Sequence, residues 1–105
     1  MRLIQVALLD ELPPGKMIEV LDGEATYAVC NHQGEIHVLD GVCPHLSGPL
    51  AAGNFVDGML VCPYHAWEFS CQTGEYDMNP RVKLKKYPVR VDRGRILIET
   101  PESLA

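Results

Sequence analysis

The chain has 105 residues, enough for one domain, with 47% hydrophobic and 22% charged residues and a formal net charge of −5. No apolar run approaches the roughly 18 residues of a membrane span. The apolar start Leu3 to Leu9 is short and meets Asp10-Glu11 with no small-residue cleavage site, which speaks against a signal peptide and for a cytoplasmic protein.

In chain order, Arg2 to Ala7 predicts a first strand, and Asp10 to Pro14 allows one helical turn at most. Lys16 to Leu21, Thr26 to Asn31 and Glu35 to Leu39 are short runs rich in Ile, Val, Leu and Tyr. Asp22-Gly23 and Gln33-Gly34 separate them as tight turns. Thr26 to Cys30 reads as a buried strand, with Cys30 a small core hydrophobe. His32 falls at a turn and His37 on a half-buried strand, and structural roles are expected for both.

Residues 41–80 differ. Nine Gly and Pro residues, from Gly41 to Pro80, signal loops of fixed shape. Within them stands Cys43-Pro44-His45, then sixteen residues, then Cys62-Pro63-Tyr64-His65. Asn54 to Val56 and Met59 to Val61 flank Asp57-Gly58, a strong hairpin signal that accounts for the spacing. The chain leaves the first loop, turns back and delivers the second beside it. Cys71, at a strand end before the turn Gln72-Thr73-Gly74, reads as a passive thiol.

After Pro80, Lys85, Tyr87, Val89 and Val91 alternate with Lys86, Pro88 and Arg90 as one strand, and Arg93-Gly94 leads into Ile96 to Ile98. Seven of nine Lys and Arg lie between Arg81 and Arg95, whereas 41–80 carries Asp57, Glu68, Glu75 and Asp77 and no base. Such an acidic end is a poor fit to nucleic acid and a better one to a basic protein surface. The expected fold is all-β. A single domain, 1–105, has an antiparallel β-sandwich base (1–40 and 81–105) and a small inserted lobe (41–80).

Two thiolates and two imidazoles can hold one zinc. They can also hold an asymmetric [2Fe–2S] cluster, with the thiolates on one iron and the imidazoles on the other. The first option makes a structural module and the second an electron carrier.

These two Cys-His pairs, with Trp67 and Phe69 after the second, resemble the Rieske iron–sulfur domain, and the short chain is similar to the Rieske-type ferredoxins of bacterial multicomponent oxygenases. The Thr73-Gly74 turn and the tail from Tyr87 to Ile98 extend the resemblance over nearly the whole chain. It implies one [2Fe–2S] cluster, with Cys43 and Cys62 on the buried iron and His45 and His65 on the iron near solvent. C-x-H paired with C-x2-H also fits zinc knuckles poorly.

Charge bookkeeping explains the use of histidine. Two ferric ions and two sulfides leave two positive charges, which the two thiolates cancel, so an added electron meets a neutral centre. Its potential therefore lies above that of an all-cysteine cluster. Relative to the respiratory Rieske pattern, Gly48 and Tyr64 stand where each loop carries an extra cysteine of a disulfide. Trp67 and Phe69 stand where hydroxyls donate to sulfur. Fewer donors place the potential at the low end of the family's range. Trp67 and Phe69 are expected as apolar supports under the second loop. Pro80 falls where the family places a third, proline-containing loop, or else marks a strand break.

The resemblance further implies a monomeric one-electron carrier that is not itself an enzyme. It would link a flavin-containing NAD(P)H-dependent reductase to a terminal oxygenase, in the setting of a dioxygenase of aromatic-hydrocarbon catabolism. No G-x-G-x-x-G motif is present. The other readings are the small Rieske-type subunit of a larger reductase, such as nitrite reductase, and a zinc-stabilised interaction module.

Overall fold

The computed structural model describes residues 2–23, 25–44, 48–64 and 66–100. Among these, twelve strands form three antiparallel sheets. In order they are β1 (Arg2–Leu8), β2 (Met17–Asp22), β3 (Ala25–His32), β4 (Glu35–Asp40), β5 (Asn54–Val56) and β6 (Met59–Val61). There follow β7 (Glu68–Ser70), β8 (Glu75–Tyr76), β9 (Asn79–Lys83), β10 (Lys86–Tyr87), β11 (Val89–Asp92) and β12 (Arg95–Thr100). One 3-10 turn, Leu9–Glu11, follows β1, and another, Leu50–Ala52, precedes β5.

Two-residue turns set the hairpins. Gln33-Gly34, Asp57-Gly58 and Arg93-Gly94 each place both residues at positive φ, the geometry whose twist matches paired strands. Gly58 is further constrained, because the His32 ring packs on it and a Cβ there would lie 3.1 Å from the imidazole.

Strand β3 organises the interior. Its side chains alternate, and both faces are buried. Tyr27 and Val29 join Val38, Ile96, Ile98 and Leu12 in one core, while Ala28 and Cys30 join Leu39, Leu60, Phe69 and the two loop cysteines in another. The sheet β10-β4-β3-β2 is therefore a partition. The sheet β1-β12-β11 covers one face, making the sandwich base. The sheet β5-β6-β7-β8-β9 supplies the second core.

The C-terminal strands depart from the sequence reading in two ways. The expected single strand over residues 85–91 is broken at Pro88, which cannot donate to a ladder. Lys86–Tyr87 pairs with β4, whereas Val89–Asp92 pairs with β12 in the other sheet. Pro80 lies inside β9 rather than in a third loop. It is tolerated because β9 is the edge strand of its sheet, which continues to Lys83, beyond the 41–80 expected for the lobe. No helix among the described residues is long and apolar enough to cross a membrane.

Candidate metal centre

Two loops converge at one end of the second core, and they close in the same way. Strand β4 runs through Gly41 and Val42 to Cys43, whose N–H donates to the Gly48 carbonyl at 2.8 Å. A bridge between Val42 and Pro49, and Leu50 N–H to Gly41 O at 2.9 Å, tie the loop's two stems together. Strand β6 runs directly into Cys62, whose N–H donates to the Trp67 carbonyl at 2.8 Å. In both loops the cysteine N–H reaches five residues ahead, and each loop's histidine falls inside that span of the sequence. His45 and His65 themselves lie outside the described residues, so the structure places the cysteine half of the expected ligand set.

Glycines bring the loops together. A Cβ on Gly41 would lie 2.8 Å from Thr26 Cγ2 and 2.9 Å from the Tyr27 carbonyl carbon, so the first loop leaves the base in contact with β3. At Gly53 it would lie 1.8 Å from the Val61 carbonyl oxygen, one residue before Cys62. At Gly48 it would meet the Tyr64 ring at 2.6 Å and Cys62 Sγ at 3.4 Å. Positions 48 and 64, where the resemblance sets the missing disulfide, therefore do touch, and the Tyr64 ring lies against the bare Gly48 backbone.

Cys43 is fully buried and Cys62 is 2% exposed. Neither is in a disulfide. They lie within hydrogen-bonding reach of each other, and Tyr64 N–H donates to Cys62 Sγ at 3.4 Å. Burial pushes the Cys62 thiol up, the Tyr64 N–H opposes this, and the adjacent Cys43 sulfur raises it further. Two buried sulfurs pressed together, one of them already receiving an N–H, form a donor pair that a cation would relieve. The site thus fits an iron pair held in part by thiolates.

The second loop rests on aromatic side chains. Phe69 is fully buried in the core that holds both cysteines, and half-buried Trp67 packs against that core, as expected of supports. Sequence reasoning missed Tyr76, which stacks on Trp67 at 4.0 Å and 3° between planes. The period-2 pattern of a two-residue strand carries no signal for it. Cys30 and Cys71 are buried, and burial raises both thiols. The expected ligand pattern does not draw on them.

Three comparisons bear on the site. The Rieske [2Fe-2S] domain profile matches residues 2–88. The ferredoxin component of an alkene monooxygenase system from Xanthobacter autotrophicus is 40% identical over 100 residues, covering 92% of this chain and 80% of that protein. The ferredoxin component of the naphthalene 1,2-dioxygenase/salicylate 5-hydroxylase systems of a Ralstonia species is 31% identical, covering 91% and 93%. Among solved structures, the Sphingomonas yanoikuyae B1 ferredoxin superposes with a TM-score of 0.87 at 26% identity, covering 95% of this chain and all of that one.

Proposed function

We infer the function from one premise: the chain belongs to the Rieske [2Fe-2S] domain family. This overturns the zinc-module reading, and the cofactor is a [2Fe–2S] cluster. We propose Cys43, His45, Cys62 and His65 as its ligands. The observation that carries the assignment is the pair of buried sulfurs at the ends of two matching loops, each loop with a histidine inside its closure. When bound, the cluster supplies a site that takes up and releases one electron. The protein's own groups do the rest. Cys43 and Cys62 furnish two negative charges from a water-free core. The Tyr64 N–H steadies one of them. Phe69, Trp67 and Tyr76 keep the second loop rigid, so that little reorganisation accompanies a change of charge.

The protein is an electron carrier of an oxygenase system, as its relatives are by name. We propose that it accepts electrons from a flavin-containing NAD(P)H-dependent reductase and delivers them to a terminal oxygenase, acting as a cytoplasmic monomer of one Rieske domain. The relatives' names point to hydrocarbon oxidation, with an alkene in one case and naphthalene in the other. The test is the purified protein. It should be brown, contain two irons and two acid-labile sulfides per chain, and show a rhombic paramagnetic signal on reduction. It should elute as a monomer and support turnover only when both a reductase and an oxygenase are present. Tight one-to-one co-purification with a large reductase subunit, with no oxygenase support, would replace this reading by the nitrite-reductase type.

A further inference from the structure

Lys86 on β10 joins two sheets by a single ammonium group. Its Nζ donates to the Gln72 carbonyl at 2.7 Å and lies 3.1 Å from His37 Nδ1. His37 sits on β4, the strand that feeds the Cys43 loop. Gln72 lies in the turn after β7, the strand that leaves the Cys62 loop. An ammonium has donors only, so Nδ1 must accept and the ring proton must sit on Nε2. That nitrogen faces Glu35 Oε1 at 3.2 Å, off the line of a good hydrogen bond. The imidazole is 7% exposed. A proton on Nδ1 would remove the acceptor and set two cations 3.1 Å apart.

We propose that Glu35, His37, Lys86 and the Gln72 carbonyl form an acid-sensitive strap, which holds the turn behind the second loop against the strand behind the first and lets go when His37 is protonated. Every group around the ring bears on this. Burial, then Lys86, lowers the proton affinity of His37 from its ordinary 6.5, Glu35 opposes the shift, and His32 at the end of β3 adds to it. Cys30 on β3 and Cys71 beside Gln72 are both held above the ordinary thiol range by burial, so they stay neutral and bring no charge. Because the folded value lies below the unfolded one, the strap's contribution is complete above pH 6.5. It is lost as the pH falls from there through the lowered folded value.

The test is hydrogen exchange of the Cys71, Gly74 and Leu84 amides, which pair with the Gly58, Ser70 and Gly74 carbonyls around the turn. It is run on the whole protein from pH 7.5 to 5 and corrected for intrinsic rates. Wild type should lose about tenfold protection on acidification, the scale of one hydrogen bond to a charged group. Lys86→Met should show the loss already at pH 7.5 and change little below. His37→Asn keeps an acceptor near Nδ1 that cannot be protonated, so protection should persist to pH 5. Glu35→Gln should move the loss to lower pH. A wild-type pH step surviving in His37→Asn, or Lys86→Met as protected as wild type at pH 7.5, would overturn the strap. Should His37→Asn not fold, Lys86→Met decides alone: convergence with wild type at low pH upholds the strap, and parallel profiles refute it.

Discussion

A Cβ at Gly53 would lie 1.8 Å from the Val61 carbonyl oxygen and 3.0 Å from Pro63 N, all rigid backbone with no side-chain end to swing aside. Gly53→Ala should therefore separate the loops, at or above the ~1–3 kcal/mol typical of overpacking. Thermal unfolding should show a fall of several degrees, together with an altered visible spectrum. Gly15→Ala is the control, since a Cβ there meets nothing within 4 Å and only the positive φ resists it, at about 1 kcal/mol. The cysteines make a sharper case. Cys43→Ser and Cys62→Ser should lose most of the iron and sulfide, whereas Cys30→Ala and Cys71→Ser should keep the visible spectrum. Iron lost from Cys71→Ser would show that the wrong thiols were assigned. His45→Cys or His65→Cys should retain iron at a lower potential, because an anion replaces a neutral ligand. The proposed Cys-His pairs come from residue type and spacing, which a sequence displays directly. The demand for glycine at 41 and 53 was not legible there, because it depends on which backbone from elsewhere in the chain comes near.

At the scale of elements, the hairpins were readable wherever a two-residue turn carries its own signal. Asp57-Gly58 is such a turn, and β5 and β6 take the bounds read for them. The short strands β8 and β9 carry no period, and their pairing follows from packing. Tyr76 on β8 shows the result, since its ring stacks on Trp67 and lies 5.6 Å from Phe69. Tyr76→Phe keeps that stack and should be nearly neutral. Tyr76→Leu should cost about 0.5–1.5 kcal/mol beyond its lost area, read by denaturant unfolding. Equal effects of the two changes would mean that the stack contributes nothing. The rings that Tyr76 packs against bear on potential. Trp67 and Phe69 bring apolar rings where hydroxyls would donate to sulfur, so the midpoint should sit near or below about −100 mV and vary little with pH near neutrality. A positive midpoint with strong pH dependence at pH 7 would contradict this.

Over the whole molecule the charge is sorted, and the structure refines which acids matter. The sequence placed Asp57, Glu68, Glu75 and Asp77 together on one lobe, but their surroundings differ. Asp57 caps the far end of the β5–β6 hairpin, where it and Phe55 line a cleft of about 290 Å³ with Pro14, Gly15, His32 and Gln33 on the base side. Glu75 stands opposite the basic Lys83 in the β8–β9 register. Glu68 lies opposite Val61, the neighbour of Cys62, and Asp77 N–H donates to the Glu68 carbonyl at 2.9 Å, so of these four acids this exposed pair stands beside the Cys62 loop. A partner that receives electrons through this end meets a negative rim and approaches faster if its own surface is basic. Glu68→Lys and Asp77→Lys should slow electron transfer roughly threefold to tenfold at low ionic strength, and the gap should close as salt shortens the screening length to about 10 Å at 0.1 M. Asp57→Lys and Lys85→Glu, at the base end, should change the rate little. Stopped-flow transfer to the oxygenase against salt concentration measures all four. If Asp57→Lys is as slow as Glu68→Lys, steering belongs to the net charge of the lobe rather than to the rim beside Cys62. If Lys85→Glu is the slow variant, docking occurs on the base, and electrons must leave by a path other than the two cysteine loops.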